Sequence, residues 1–274
     1  MPDSQPRHIL LLSGGKDSTA LALWMRDNRS EVDVEYVFCD THKELPETYE
    51  YLTRIEAYLG KQVTRLSSGL GERGFDHWLK VYGSYLPAPN MRWCTKKLKI
   101  EPFEAYVGDD PVFLYVGIRA DERREGYIST KPNITPLYPF KEVGIRKDDV
   151  FRILEQSGVG IPDYYSWRSR SGCYFCFFQR PIEWVRLLER HPEQFDQAQS
   201  YEKIGDQEGK TFTWIQGMPL SELRKSENVE VIKLRNAESE DRRRKNRGNK
   251  RLVEILGDMD EEDDDQRACL ICHL

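Results

Sequence analysis

The stretch HILLLSGGKDSTALAL, residues 8–23, decides how the rest of the chain is read. His8 to Leu12 form a short apolar run that ends at Ser13, Gly14 and Gly15, the pattern of a buried strand entering a tight turn. Residues 18–26 follow with strong helix formers and are expected to pack as a helix on that strand. Two adjacent glycines let the backbone turn tightly and approach a ligand closely. The helix start then offers N–H groups and the positive end of its dipole to an anion. Ser13, Ser18 and Thr19 add hydroxyl donors, and Lys16 adds a cation. Asp17 is out of place in a pure anion site unless Mg²⁺ bridges it to phosphates. A Walker A loop would need four residues between its first glycine and Gly-Lys, so this is a different phosphate loop. A plain turn with an N-cap would leave so many donors in seven residues without a purpose.

Outward from this loop, strands alternate with helices. Residues 32–38 and 63–66 read as strands, and residues 112–116 (VFLYV) read as a strand covered on both faces. Residues 46–59 and 146–158 carry apolar side chains at helical spacing. This alternation indicates an α/β fold with a doubly wound, mostly parallel sheet. The expected organisation is a nucleotide-binding domain over residues 1–160 and a small helical, cysteine-bearing region over 161–235. Residues 236–274 are expected to be a charged, mobile tail ending in Cys-x-x-Cys. Within the second region, helices are expected near 182–190 and 192–204.

The chain has 274 residues, 39% of them hydrophobic, an ordinary globular balance. No apolar run approaches the roughly 18 residues needed to span a bilayer. The beginning, MPDSQPRHILLL, lacks a signal-peptide layout, so a cytoplasmic protein without membrane contact is expected. With 41 basic and 46 acidic residues the net charge is −5, which disfavours non-specific nucleic-acid binding. The charge is uneven: residues 242–251 are strongly basic and residues 257–265 strongly acidic. This reads as a solvated tail or, for the basic block, as a nucleic-acid contact. Six cysteines include the pairs Cys173/Cys176 and Cys269/Cys272. In a cytosolic chain such spacing points to metal or redox chemistry rather than to structural disulfides. Cys39, at a strand end, reads as a buried hydrophobe.

The segment Ser13–Thr19 resembles the PP-loop of the adenine-nucleotide α-hydrolase superfamily. Phe38-Cys39-Asp40-Thr41-His42-Lys43-Glu44-Leu45-Pro46-Glu47-Thr48 resembles the D-T-G-x-x-x-x-E-T stretch of the phosphoadenylyl-sulfate (PAPS) reductase family, with His42 where that family usually has glycine. Arg92-Trp93-Cys94-Thr95-Lys96-Lys97-Leu98-Lys99 resembles its cysteine-plus-basic segment. Gly117-Ile118-Arg119-Ala120-Asp121-Glu122-Arg123-Arg124 resembles its later G-x-R-x-x-E-S-x-x-R region. These matches run in order over roughly residues 8–180.

The resemblance implies ATP and Mg²⁺ as ligands, with cleavage between the α and β phosphates. It implies nucleotide contacts from Ser13, Gly14, Gly15, Lys16, Asp17, Ser18, Thr19, Asp40, Lys96, Lys97, Gly117 and Arg119. Of these, Lys16, Asp17 and Arg119 would carry the chemistry. Lys99, Arg123 and Arg124 join the same basic set, which could equally be solvated surface charge. Assimilatory reductases of the family hold a four-iron four-sulfur cluster on a Cys-Cys pair and a distant Cys-x-x-Cys. Here Trp93 replaces the first cysteine, so Cys94, Cys173 and Cys176 match, with Cys272 or Cys269 as a possible fourth ligand. An iron–sulfur cluster, Zn²⁺ and a metal-less dithiol all stay open. Tyr164, Tyr165, Trp167, Arg168 and Arg170 either stack a base and hold a backbone or pack the small region.

The combination looks most like the ATP-pyrophosphatase components of DNA phosphorothioation systems. Those would activate a nucleic-acid backbone for sulfur insertion, with a cysteine desulfurase as donor and DNA as acceptor. The same logic covers tRNA thiolation. The alternatives are a PAPS or APS reductase that releases sulfite with thioredoxin and a nucleotide-binding subunit without its own turnover.

Overall fold

The structure, a computed structural model, describes residues 5–68, 74–123, 131–205 and 211–246. Arg124, Cys269, Cys272, the acidic block and residues 247–251 of the basic block lie outside the described residues. Two compact units emerge: residues 5–80 and 92–173 form the first, and residues 81–91 and 174–246 the second.

The first unit opens with β1 (Arg7–Leu11), α1 (Lys16–Asn28), β2 (Val34–Cys39), α2 (Pro46–Leu59) and β3 (Val63–Leu66). It continues through α3 (Phe75–Val81), the single turn α4 (Trp93–Thr95), a π-helical turn (Lys96–Ile100) and α5 (Glu101–Val107). The last elements are β4 (Val112–Tyr115), β5 (Ile134–Leu137), α6 (Pro139–Val143) and α7 (Lys147–Gln156). The strands form one parallel sheet in the order β3-β2-β1-β4-β5.

Side chains alternate across a strand, so β1 feeds two cores at once. Leu10 and Leu12 pack with Leu21, Tyr51, Ile55, Val150 and Leu154 from α1, α2 and α7. Ile9 and Leu11 pack with Phe103 and Val107 of α5 on the opposite face. This is the doubly wound α/β sheet expected from the alternation of strands and helices. Strand β5 escapes a reading by pattern because it is short and contains Pro136. It lies at the sheet edge, where a missing N–H donor is tolerated.

From β1 the chain winds outward to β2 and β3, then returns to the other side of β1 for β4 and β5. The connections leaving β1 and β4 therefore diverge, opening a crevice beyond their carboxyl ends. The loop after β1 runs into α1, and the loop after β4 starts at Val116 and Gly117. A Cβ added to Gly117 would stand 3.0 Å from the Asp17 carbonyl oxygen, 3.1 Å from its carbon and 3.2 Å from the Ser18 nitrogen. Glycine thus lets the two loops meet backbone to backbone.

The second unit contains α8 (Pro181–Arg190), α9 (Pro192–Ser200), α10 (Leu220–Leu223) and α11 (Ser226–Asn246). Its core is aromatic. Phe175 stacks on Trp214 at 5.1 Å between centroids, and Trp184 meets Trp214 at 6.0 Å and Phe195 at 6.4 Å. The Trp214 indole donates to the Ala198 carbonyl at 2.8 Å, which satisfies its polar edge. Residues 236–246, expected at the start of a mobile tail, instead form the second half of α11. Among the described residues no helix is long and apolar enough to cross a membrane.

Gly117→Ala should bring a side chain against backbone that cannot yield. We expect a loss of about 1–3 kcal/mol of stability in urea denaturation, the usual range for overpacking. An unchanged urea midpoint would show that the two loops are not held by this contact.

Candidate functional site

At the crevice, Gly14 adopts a left-handed conformation (φ +69°) and Gly15 is the cap residue of α1, without a capping side chain. A Cβ on Gly14 would meet Thr48 Cγ2 at 2.7 Å, and one on Gly15 would meet Ser171 Oγ at 2.7 Å. Both glycines are therefore required by close approach. The loop hydroxyls hold the loop itself. Ser13 Oγ and Ser18 Oγ share a hydrogen bond of 3.0 Å, and Ser18 Oγ accepts from the Ser13 N–H at 3.1 Å. Thr19 Oγ1 donates to the Gly15 carbonyl at 2.8 Å.

The charged residues form a buried network. The fully buried Asp17 carboxylate lies 2.9 Å from Arg119 Nη1 through Oδ1 and 3.1 Å from Lys16 Nζ through Oδ2. Arg119 Nε donates to Asp121 at 3.0 Å, its backbone N–H donates to Glu122 at 3.2 Å, and Nη1 pairs with Glu122 at 3.4 Å. Burial works against the guanidinium charge of Arg119, but Asp17, Glu122 and Asp121 outweigh it and raise its pKa. The residues expected to carry chemistry, Lys16, Asp17 and Arg119, are thus in direct contact, and Gly117 lies against the Asp17 backbone.

The segment after α7 closes over the loop. Tyr164 is buried and donates to the Gly14 carbonyl at 2.6 Å. The Tyr165 hydroxyl accepts from the Lys16 backbone N–H at 3.3 Å, and Lys16 Nζ sits 5.3 Å from its ring centroid. Ser171 Oγ reaches Ser13 Oγ at 3.4 Å. Arg168 donates to the carbonyls of Gly172 and Cys173. Within this aromatic–basic cluster, Tyr164 and Tyr165 bond to atoms of the Ser13–Thr19 loop, a use other than the two expected. Asp121, Glu122 and Thr48 were visible only as members of motifs with no site role assigned, and Ser171 was not singled out, since only the fold reveals their proximity to Ser13–Thr19.

Beyond β2, Asp40 stands in a second polar group. Its Oδ1 accepts from the His42 N–H at 2.7 Å and from the Tyr49 hydroxyl at 2.8 Å. The Glu44 carboxylate accepts from Thr41 Oγ1 at 2.8 Å and from the Lys43 N–H at 3.1 Å. Burial, and then the charge of Asp40, push the Glu44 carboxyl up to about 7. His42 is left-handed at φ +57°, the conformation that glycine adopts without strain. Lys96 is exposed, and Lys97 pairs with Glu101 at 2.7 Å beside the Trp78 ring. Among the described contacts, neither lysine is seen at the loop.

Residues 7–162 match the phosphoadenosine phosphosulfate reductase domain. The chain belongs to that family. Members of the family are generally enzymes acting on nucleotide and sulfur compounds. An uncharacterized protein of Methanocaldococcus jannaschii is 29% identical over 69% of this chain and 40% of its own length. A nin-region protein of Escherichia phage lambda is 28% identical over 62% of this chain and 65% of its own. The chain thus spans less than half the length of the archaeal relative. The fold resembles that of phosphoadenylyl-sulfate reductase from Candida auris in a phosphate complex, with a TM-score of 0.51 at 15% identity. That likeness covers 63% of this chain and 84% of the reductase.

Seen within the family, His42 occupies the usual glycine position and keeps the glycine-like backbone. Trp93, at the position of the first cluster cysteine, is buried with its ring 5.1 Å from that of Phe75. Cys39 is in the core, where burial pushes its thiol up to about 12, and it donates to the Lys99 carbonyl at 3.5 Å. None of Cys39, Cys94, Cys173 and Cys176 is in a disulfide. Among the described residues, no three His, Cys, Asp or Glu side chains gather closely enough to hold a metal ion.

The raised pKa of Glu44 gives a stability prediction. The folded state holds this proton more tightly than the unfolded chain, whose carboxyl titrates at roughly 4.3. The contribution is therefore complete below about 4.3 and is lost as pH rises through about 7. Glu44→Gln should flatten the fall in stability across that window and be the more stable protein at pH 8. Parallel stability–pH curves for the two proteins would contradict this.

Proposed function

We propose that this protein binds ATP at the Ser13–Thr19 loop and cleaves it between the α and β phosphates, activating an acceptor for sulfur transfer. The supporting observation is the buried Lys16–Asp17–Arg119 network at the divergence of β1 and β4. In this reading the α1 amides and the backbone at Gly14 and Gly15 hold the departing pyrophosphate. Lys16 and Arg119 offset the charge that grows on it, and Asp17 fixes both cations in place. The network holds two cations against three carboxylates, Asp17, Asp121 and Glu122. A triphosphate therefore needs further positive charge, which Mg²⁺ arriving with the nucleotide would supply. Bound Mg²⁺ would neutralise charge on the phosphate oxygens.

The acceptor in this proposal is a nucleic acid, DNA as in phosphorothioation or tRNA, with a cysteine desulfurase as the sulfur source. The sequence order of Ser13–Thr19, Cys94 and the Cys173/Cys176 pair supports it. A cluster on Cys94, Cys173, Cys176 and Cys272 belongs to the same proposal, and none of the steps above requires it. Protein purified without oxygen should then contain iron, and Cys94→Ser should lose it while Cys39→Ser keeps it. Iron-free wild type would remove the cluster. The reductase reading is supported by the family match itself.

The deciding assay measures pyrophosphate release from ATP with Mg²⁺ and, separately, sulfite release from phosphoadenylyl sulfate with thioredoxin. We expect pyrophosphate and no sulfite. Lys16→Ala and Arg119→Ala should each lower pyrophosphate release by roughly a hundredfold or more, the scale of losing one preorganised charge donor. Thioredoxin-dependent sulfite release would establish the reductase instead.

A further inference from the structure

The hydroxyl side chains at the phosphate loop include Ser13, Ser18, Thr19 and Thr48. The first three are bonded to the loop's own atoms. Thr48 differs. It belongs to α2, is 1% exposed, and its Oγ1 has no hydrogen-bond partner. A helical threonine can ordinarily bond a carbonyl of the preceding turn, and this one does not. Its methyl lies where a Gly14 side chain would be, and the hydroxyl shares the same Cβ. The unmet donor is therefore beside the backbone turn that the anion must approach.

A buried polar atom without a partner calls for an explanation, and a ligand is one. We infer that Thr48 is a phosphate-binding residue, whose hydroxyl donates to an oxygen of the nucleotide phosphates held by the loop. The assignment rests on the ATP reading above and adds a donor from a second helix to it. Such a donor explains two features together. Gly14 lacks a side chain, which brings α2 into contact with the loop. Thr48 is polar at a position whose packing alone would suit valine.

The test uses the full chain and Mg²⁺-ATP, with affinity measured by calorimetry and unfolding temperature measured without nucleotide. Thr48→Val keeps the shape and removes the hydroxyl. It should unfold at or above the wild-type temperature, because an unmet polar group has been removed. It should also bind ATP roughly tenfold or more weakly, the loss expected for one hydrogen bond to a charged group. Thr48→Ser should restore most of the affinity. Should Thr48→Val not fold, Thr48→Ala supplies a second variant without the hydroxyl. Wild-type affinity in a folded variant without the hydroxyl would overturn the assignment and leave the ATP reading intact. Absence of ATP binding by the wild type would overturn both.

Discussion

The buried pairing of Asp17 with Arg119 is the constraint on which the site depends. A carboxylate removed from water is costly unless charge and hydrogen bonds replace the lost hydration. Here Lys16 supplies one cation from the same turn, and Arg119 supplies the other from across the sheet. The pair therefore ties the loop after β1 to the loop after β4. Removing either partner would leave the other with less compensation in a buried site, Asp17 with Lys16 alone or Arg119 with Asp121 and Glu122, and should destabilise the fold. Gly117 makes this possible by allowing its own loop to touch the α1 backbone.

Around this pair the loop backbone is held by the protein's own side chains. Ser13, Ser18 and Thr19 use their hydroxyls on loop atoms, and Tyr164 fixes the Gly14 carbonyl. A phosphate group arriving there would not have to order the backbone, so less binding energy would be spent on conformation. The Tyr165 hydroxyl meanwhile satisfies the Lys16 N–H with a neutral acceptor at 3.3 Å. A phosphate oxygen carries charge and makes the stronger acceptor. The tyrosine satisfies one amide of the α1 start.

Much of the sheet was legible: β1 and β4 carry continuous apolar runs, β2 is β-rich with partial alternation, and β3 is a short stretch bounded by Val63 and Leu66. Strand β5 was not, since Pro136 and its four-residue length mimic a loop. Helix α11 was missed over its second half because it is polar nearly all round and offers no apolar stripe. In the site, Lys16 and the glycines announce themselves by local spacing. Asp17 looked anomalous there because its partner is 102 positions away and only the fold brings it near. Tyr164 and Tyr165 were visible as an aromatic cluster, but nothing local shows that they face Gly14 and Lys16. Thr48 was visible only as part of a motif, and its missing hydrogen bond is a property of the packed structure.

The electrostatics of the rim narrow the form in which a nucleotide could bind. Carboxylates stand beyond three strands: Asp40 and Glu44 after β2, Asp17 after β1, and Asp121 and Glu122 after β4. Within the middle group Lys16 and Arg119 stand as two cations against Asp17, Asp121 and Glu122. Around Asp17 the three carboxylates outnumber the two cations, so a bare triphosphate would gain little there. A triphosphate carrying a divalent cation presents less charge, and its metal could attract the same carboxylates. Under the ATP proposal this charge balance would favour a triphosphate that brings a divalent cation, and Asp17, anomalous in a simple anion site, would fit that form.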